Sequence, residues 1–266
     1  MTENHSHSAS PMLRALARIA YDAGAIVLEH YTQEITATRK EDASPVTAAD
    51  VAAERFILKR LAQLAPEVPV VAEEEVAAGR VPKVGKRFFL VDPLDGTKEF
   101  LSRNGEFTIN IAEIVEGKPV RGVVYAPAKD RLFFGETLTG AFDIFAPPGG
   151  PPDFGEARQV FARLPGRDGL VVAVSRSHKD AKTDEYLAAH RVKTYVTAGS
   201  SLKFSLIAAG EADLYPRTGK TMEWDTAAGH AVLAAAGGSL TTLDGKPFAY
   251  GKPGFANPAF VARGLE

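Results

Sequence analysis

The chain has 266 residues, of which 45% are hydrophobic and 24% are charged, and 31 Lys and Arg against 33 Asp and Glu give a net charge of −2. This composition is that of a folded globular protein, and the near-neutral charge argues against a general nucleic-acid binder. The absence of cysteine excludes disulfides, thiolate zinc sites and cysteine nucleophiles. No apolar run is long enough to cross a bilayer, so we expect no transmembrane segment.

The first part of the chain predicts two helices followed by a series of strands. Residues 1–9 are polar, and we expect a disordered tail there. Ser10-Pro11 is a helix-start signal, and apolar residues at helical spacing continue to about Tyr31. A second helix is predicted to begin at Thr47. Apolar, β-favouring runs predict strands at residues 68–72, 87–91, 107–115, 120–125, 132–135 and 141–145.

A Pro- and Gly-rich stretch at residues 147–152 marks the predicted division of the chain. We expect an N-terminal α+β half at residues 10–150 and a C-terminal half at residues 151–266. Strands and helices alternate in the second half, which favours α/β layering. Its predicted strands are 170–174, 194–196, 212–215 and 240–243, and its predicted helices are 180–190, 200–209 and 226–236.

The densest group of reactive side chains follows the predicted strand 87–91. Asp92 lies at the strand end, and Asp95, Gly96 and Thr97 follow in a turn that opens a helix. Two carboxylates, a carbonyl and a hydroxyl are the hard oxygen ligands that Mg²⁺ prefers, and helix-start N–H groups can hold an anion. The turn therefore predicts a metal site beside a phosphate site. The aspartates are three positions apart, so they fit the Asp-x-Asp pattern of covalent aspartyl-phosphate enzymes poorly.

Further carboxylates occupy other strand and helix ends. Glu73 and Glu74 follow the strand 68–72, and taken alone they indicate a solvated acidic loop. Beside the turn after strand 87–91, they become candidates for a shared metal site. Asp225 opens the predicted helix 226–236, and Asp50 has capping-box spacing. Each of these two could simply cap its helix, although capping does not exclude a role in a metal site.

A second group of side chains offers an anion site. Gly199, Ser200 and Lys203 head a predicted helix, where N–H groups, a hydroxyl and an ammonium could hold an anion, although capping alone would also explain them. Arg217 lies in a polar loop and could add positive charge. His178 follows a strand and could reach a ligand, although a lone His is more often a surface residue.

Taken together, three segments resemble the inositol monophosphatase superfamily of metal-dependent phosphatases: Glu73-Glu74, Asp92-Pro93-Leu94-Asp95-Gly96-Thr97 and Trp224-Asp225-Thr226-Ala227-Ala228-Gly229-His230. Their order and spacing match over nearly the whole chain. Four more segments resemble the CysQ-type 3′(2′),5′-bisphosphate nucleotidases within it, namely 42–47, 95–100, 175–178 and 199–204. The resemblance implies an α/β (α+β) fold, a layered αβαβα sandwich of the inositol monophosphatase and sugar phosphatase type, with the site between the two halves.

The resemblance also implies a role for each candidate residue. The metal ligands for two or three Mg²⁺ ions would be Glu73, Asp92, the Leu94 carbonyl, Asp95 and Asp225. The catalytic group that orients and deprotonates the attacking water would be Thr97, helped by Asp50 or Glu74. The residues that hold the scissile phosphate, the nucleotide and its second phosphate would be Gly96, Thr97, His178, Gly199, Ser200, Lys203, Arg217 and Asp225.

The implied function is that of a Mg²⁺-dependent phosphomonoesterase. It would convert adenosine 3′,5′-bisphosphate to AMP and phosphate, in sulfur assimilation or nucleotide recycling. An inositol or sugar phosphatase is an alternative, and a non-catalytic phosphate-binding regulatory protein is an alternative of another class. The expected partner is a small phosphorylated nucleotide and not a nucleic-acid polymer. A cytoplasmic location is expected, while a homodimer and peripheral attachment at the inner membrane stay open.

Overall fold

Two β-sheets and a short two-stranded ribbon carry the helices of this protein. The computed structural model describes residues 9–33, 37–39, 45–176 and 181–266. The α-helices in these residues are α1 (Pro11–Thr32), α2 (Ala48–Leu64), α3 (Glu73–Ala77), α4 (Thr97–Leu101), α5 (Ala181–Ala188), α6 (Leu202–Ala208) and α7 (Glu223–Ala235). The strands are β1 (Ala37–Arg39), β2 (Pro45–Thr47), β3 (Val70–Ala72), β4 (Arg87–Asp95), β5 (Thr108–Val115), β6 (Lys118–Ala126), β7 (Arg131–Glu136), β8 (Gly140–Phe145), β9 (Arg158–Val160), β10 (Leu170–Ser175), β11 (Val192–Ala198), β12 (Leu214–Arg217), β13 (Ser239–Thr242) and β14 (Phe260–Arg263).

The two long N-terminal helices begin where the sequence predicts. Ser10 Oγ accepts the Leu13 N–H at 3.2 Å and Pro11 occupies the first turn of α1, so the helix start is capped. Thr47 caps α2 with the help of Asp50. The prediction that the first helix ends near Tyr31 is confirmed, since α1 ends at Thr32. Among the described residues, no helix is both long and apolar enough to traverse a membrane.

The larger sheet has seven strands in the order β3-β4-β5-β6-β7-β8-β9. The pair β3–β4 is parallel and the other neighbours are antiparallel. Glu116 and Gly117, both with positive φ, form the turn between β5 and β6, so this connection is shorter than the sequence indicates. β9 follows the Pro- and Gly-rich stretch but still pairs with β8, so the larger sheet continues beyond residue 150. The division into halves at that residue stays a prediction.

The smaller sheet has five strands in the order β11-β10-β12-β14-β13. β10 is parallel to both β11 and β12, as the predicted alternation of strands and helices requires. β14, which the sequence did not predict, is antiparallel to β12 and β13 and joins the edge strand β13 to the sheet.

Three apolar clusters separate five layers. The first fills the space between α1, α2 and the larger sheet, and includes Leu13, Ile57 and Phe89. The second lies between the two sheets, where α6 and α7 pack. The third joins α5 to the outer face of the smaller sheet, with Leu187 against Leu214 and its neighbours. The order helix, sheet, helix, sheet, helix confirms the predicted αβαβα sandwich.

The central helix α7 lies close against the larger sheet because small residues meet there. A Cβ on Gly122 of β6 would lie 2.3 Å from the Ala228 carbonyl oxygen of α7. On another part of the same helix, a Cβ on Gly229 would lie 2.6 Å from the Phe204 ring. Glycine at both positions therefore allows the close packing that fixes α7 between the sheets.

Candidate active site

The first part of the site is the end of β4. Asp92 is buried, and its Oδ1 accepts the Leu94 N–H at 3.0 Å, which bends the chain within the last residues of β4. The pairing with β5 is irregular between Asp92 and Asp95. Gly96 has φ +91, in the left-handed region that favours glycine, and α4 begins at Thr97. The predicted order of strand, turn and helix is therefore confirmed.

Four carboxylates from three elements, α3, β4 and α7, face one another near this turn. Burial raises the pKa of Asp92 well above its ordinary value, and repulsion from Glu73, Asp95 and Asp225 raises it further. Burial also raises the pKa of Asp225, with repulsion from Asp95 and Glu73. For Asp95 burial raises the pKa to about 6, although Lys203 and the Ser201 N–H favour the ionised form. The arrangement concentrates negative charge in one buried place.

The donor set suits a hard divalent cation. All four side chains offer carboxylate oxygens, and Mg²⁺ prefers oxygen ligands and keeps several of its waters. Within the described ranges, no group of three or more His, Asp or Glu side chains is already drawn together as a metal-binding cluster. The ligand roles that the resemblance implies therefore stay predictions, and the mutual repulsion of the carboxylates is the observation that favours them.

Thr97 lies beside the predicted catalytic carboxylate Asp50. Thr97 Oγ1 is 3.4 Å from Asp50 Oδ1 and also 3.4 Å from the Leu94 carbonyl oxygen. The other oxygen, Asp50 Oδ2, accepts the Thr47 N–H at 2.8 Å and the Thr47 hydroxyl at 2.6 Å. One carboxylate thus caps α2 and contacts Thr97, which shows that the two interpretations of Asp50 are compatible.

The acidic run after β3 is a short helix, α3, and not the loop that it resembles when it is considered alone. Glu54 of α2 explains this difference, because its carboxylate accepts the N–H groups of Glu74 at 2.8 Å and Glu75 at 2.9 Å. Burial raises the Glu54 pKa to about 7. The contact fixes the backbone that carries Glu73 and Glu74. No local pattern marked Glu54, since its partners are 20 residues away.

The Gly199–Ser201 turn binds protein oxygens, whereas the sequence left open either helix capping or an anion pocket. The Gly199 N–H donates to Glu106 Oε2 at 3.0 Å, and the Ser201 N–H donates to Asp95 Oδ2 at 2.7 Å. Ser200 Oγ donates to the Asp95 carbonyl at 3.0 Å. α6 begins only at Leu202, so these groups precede the helix. The turn therefore positions Asp95.

Two cations approach the same place from the second half of the chain. Lys203 is buried, and its Nζ donates to the Ser200 carbonyl at 2.6 Å and the Ala198 carbonyl at 3.1 Å. Burial lowers the Lys203 pKa to about 8, against the opposing effect of Asp95. Arg217 ends β12, and its buried Nε has no hydrogen-bond partner among the described residues. An unpartnered guanidinium nitrogen is suited to binding an anion.

A cavity of about 230 Å³ joins these groups. The predicted site residues that line it are Glu73, Asp95, Gly96, Thr97, Ser200, Lys203, Arg217 and Asp225. Those that do not line it are Asp50, Glu74, Asp92, Leu94 and Gly199. A second cavity of about 470 Å³ adjoins it and shares Ser175, Tyr215 and Arg217 with it. The two cavities thus share a wall, and we call them the first and second compartments of the site.

Asp225 occupies a different helical position from the one predicted. α7 begins at Glu223, three residues before the predicted start, so Asp225 lies inside the first turn. Its Oδ2 accepts the Met222 N–H at 2.8 Å. The earlier start is explained by Glu223, whose buried carboxylate accepts the N–H groups of Gly251 and Lys252, both at 2.8 Å. The predicted ligand residue His178 lies outside the described residues.

Several residues around the site carry no local sequence signal. The hydroxyls of Thr108 and Ser201 are 2.8 Å apart, and Ser201 Oγ donates to Asn110 Oδ1 at 2.6 Å. Glu106 and Arg176 form an ion pair next to the Gly199–Ser201 turn. All of these contacts join segments more than 60 residues apart, so a pattern within one segment does not indicate them.

The fold and the site define a family. The model of the inositol monophosphatase family matches residues 8–264, and the chain belongs to that family. Among curated relatives, the 3′(2′),5′-bisphosphate nucleotidase CysQ of Escherichia coli K12 is 44% identical, over 94% of this chain and 98% of the relative. The protein of the same name from Haemophilus influenzae is 30% identical, over 95% of this chain and 93% of the relative.

Solved structures agree with this assignment. CysQ from Bacteroides thetaiotaomicron, described as a bacterial member of the inositol monophosphatase family, superposes with a TM-score of 0.80 at 35% identity. The match covers 95% of this chain and 96% of that one. An IMPase from Thermotoga maritima gives a TM-score of 0.74 at 23% identity, over 93% and 89% of the two chains, and shows the fold alone.

Proposed function

We propose that this chain is a Mg²⁺-dependent 3′(2′),5′-bisphosphate nucleotidase that converts adenosine 3′,5′-bisphosphate to AMP and phosphate. The observation that carries the proposal is the cluster of mutually repelling carboxylates beside Thr97, at the wall of a two-compartment cavity. The family assignment and the names of the curated relatives support it. A cytoplasmic location, a small nucleotide as partner and two or three bound Mg²⁺ ions belong to the same proposal.

The acidic residues would hold the metal. Glu73, Asp92, Asp95 and Asp225, with the Leu94 carbonyl, would ligate Mg²⁺, which neutralises charge on the phosphate when it is bound. Phosphate-monoester hydrolysis is extremely slow without a catalyst, so charge neutralisation and positioning must supply most of the rate enhancement. No covalent nucleophile from the protein is required.

Thr97 and Asp50 would orient the attacking water. Asp50 Oδ2 is fixed by Thr47, which leaves Oδ1 to accept the Thr97 hydroxyl proton. The Thr97 oxygen can then accept a hydrogen bond from water, which aims a water lone pair at phosphorus. Water forms the new P–O bond and releases a proton by way of Thr97 to Asp50, while the bond from phosphorus to the 3′-oxygen breaks. The leaving oxygen takes up a proton from solvent, and Asp50 later returns its proton to solvent, so the protons balance. Glu74 is the second candidate for assisting Thr97.

The second compartment supports a nucleotide over a smaller phosphate ester. It offers about 470 Å³ beside the first compartment, and Tyr195 and Tyr215 are among the residues that line it. Arg217 lines both compartments and has an unpartnered Nε. A substrate with two phosphates can place the scissile one near the carboxylates and the other near Arg217 and Lys203.

The test is phosphate release from adenosine 3′,5′-bisphosphate and from inositol 1-phosphate, each with Mg²⁺ and with EDTA. We expect a strong preference for the nucleotide and no turnover in EDTA. R217M should raise KM for the nucleotide far more than KM for inositol 1-phosphate, because only the nucleotide carries a second phosphate. A preference for inositol 1-phosphate would reject the nucleotidase and leave a phosphatase of the same family.

A further inference from the structure

One buried carboxylate near the site has no part in the proposed reaction. Glu106 lies between α4 and β5, and its side chain is 11% exposed. Its two oxygens accept hydrogen bonds from Arg176 Nε and Nη2, both at 2.8 Å. Oε2 also accepts the Gly199 N–H at 3.0 Å. Arg176 follows β10 and Gly199 follows β11. Glu106, which precedes β5 of the larger sheet, therefore contacts the ends of two strands of the smaller sheet.

The turn that Glu106 binds is strained and directly supports Asp95. A Cβ on Gly199 would lie 2.5 Å from the Glu106 carbonyl oxygen, so the turn packs against Glu106 without space for a side chain. Ser200 has φ +54, a left-handed conformation that is uncommon for a residue other than glycine. Its hydroxyl and the Ser201 N–H bind the carbonyl and the carboxylate of Asp95.

We propose that Glu106 is a positioning residue that holds the Gly199–Ser201 turn and thereby orients the Asp95 carboxylate toward Mg²⁺; the proposal rests on the proposed function. The paired hydrogen bonds from Arg176 fix the direction of the Glu106 carboxylate, since guanidinium and carboxylate match as two parallel donors and acceptors. Partners that orient a metal ligand influence metal affinity strongly even though they do not touch the metal.

A second ion pair provides a matched control. Asp213 is buried, accepts a hydrogen bond from Arg163 Nε at 2.8 Å, and accepts the Val171 N–H at 2.7 Å. It therefore has the same three parts as the Glu106 pair, namely a buried carboxylate, an arginine and a backbone N–H. Neither residue of this pair lines the site cavity. D213N therefore measures how much stability is lost when such a buried, arginine-paired carboxylate is removed away from the site.

The experiment compares the full-length wild type, E106Q, D213N and R176M. Calorimetric titration with Mg²⁺ measures metal binding without turnover, thermal unfolding in EDTA measures stability, and phosphate release measures the Mg²⁺ requirement. We expect E106Q to weaken Mg²⁺ affinity, and to raise the Mg²⁺ needed for half-maximal turnover, by about tenfold or more. D213N should lower thermal stability and leave both Mg²⁺ quantities unchanged. R176M should change them in the same direction as E106Q.

The outcomes separate this proposal from the proposed function. E106Q and R176M proteins that bind Mg²⁺ as D213N does would overturn the positioning role and leave the nucleotidase intact. A wild type that prefers inositol 1-phosphate, with weaker Mg²⁺ binding in E106Q, would support the positioning role and reject the nucleotidase. If E106Q fails to fold, the Mg²⁺ affinity of R176M tests the positioning role instead. The Arg176 side chain is 47% exposed and its loss leaves the hydrogen bond between Glu106 and Gly199 in place, so we expect R176M to fold.

Discussion

Two regions of this protein bury carboxylates, one beside arginines and the other beside further carboxylates. On the larger sheet, Glu113 and Glu136 are buried and each contacts Arg121 at 2.7 Å, with Arg87 also contacting Glu113 at 2.6 Å. At the end of β4, Asp92 is equally buried, but in the part of the chain that the structure describes it forms no salt bridge with Lys or Arg. Its strongest charged neighbours are other carboxylates.

The two regions differ in what burial and neighbouring charges do to the pKa of the carboxylate. For Glu136, burial raises the pKa, but hydrogen bonds from Ser10 and Arg121 outweigh it and the pKa is lowered. For Asp92, burial and repulsion act together and the pKa is raised. A buried carboxylate that is paired with a cation or a hydrogen-bond donor stabilises the folded protein in its ionised form. A buried carboxylate surrounded by other carboxylates destabilises the folded protein unless a cation binds. If these carboxylates hold the proposed Mg²⁺, their repulsion lowers the stability of the metal-free protein and favours metal binding.

The largest expected effect comes from removing one unpaired charge. D92N keeps the side-chain shape and an oxygen that can accept the Leu94 N–H, but it removes a predicted metal ligand. We expect turnover to fall by at least about 100-fold. Thermal unfolding in EDTA should be unchanged or shifted upward, because repulsion among the carboxylates decreases. Steady-state kinetics and unfolding of the same preparation measure both effects, and unchanged turnover would remove Asp92 from the metal site.

The next effect concerns the paired region. R121M leaves Glu136 without an arginine partner and Glu113 with Arg87 alone. We expect the free energy of unfolding to fall by about 3 kcal/mol, because a buried carboxylate loses its compensation. KM and the Mg²⁺ requirement should not change. Urea unfolding provides the measurement, and R18M, which breaks the more exposed Arg18–Asp22 pair, is the control with an expected loss below about 1 kcal/mol. Equal losses of unfolding free energy in R121M and R18M would contradict the distinction between the buried and the exposed ion pairs.

The smallest effect is a pH dependence with opposite signs for two buried acids, Glu54, which binds the start of α3, and Glu136 of the larger sheet. Burial raises the Glu54 pKa from 4.5 to about 7, so the folded protein binds this proton more tightly than the unfolded chain. The Glu54 contribution to stability is fully present below about pH 4.5 and is lost as the pH rises through about 7. For Glu136 the folded pKa is lowered, so its contribution is present above pH 4.5 and is lost as the pH falls through the folded pKa.

Urea unfolding in EDTA across this pH range checks the signs. E54Q should remove a decline in the free energy of unfolding between pH 5 and 7, on the order of 1 kcal/mol. E136Q should not remove that decline, and it should instead reduce the loss of stability in acid. A steeper decline in E54Q than in wild type would show that Glu54 is ionised in the folded protein at pH 5.

Local patterns predicted much of the fold because they reflect periodicity within one element. The helical spacing after Ser10 and the alternation of strands and helices in the second half depend on neighbouring residues only, and the structure confirms both. The helix start at Thr97 was predicted for the same reason, since Gly96 marks the turn before it, whereas β4 extends to Asp95 and therefore beyond the strand end predicted at Asp92.

The parts that were missed depend on contacts between distant segments. Glu106 meets Arg176 and Gly199, which lie 70 and 93 residues away, so no local pattern indicates the pair. The start of α7 was misplaced because buried Glu223 binds the backbone near Gly251, 28 residues on. The acidic run in α3 was ambiguous for a similar reason. Packing between the two halves decides these features.

Calorimetric titration of Mg²⁺ into the wild type, D92N and R121M tests the central contrast most directly. We predict that the wild type and R121M bind Mg²⁺ with the same affinity, because Arg121 serves stability alone. D92N should bind Mg²⁺ far more weakly although it unfolds no more easily than the wild type in EDTA. A D92N protein that binds Mg²⁺ as tightly as the wild type would contradict the account, because Asp92 would then have no demonstrated part in holding a metal.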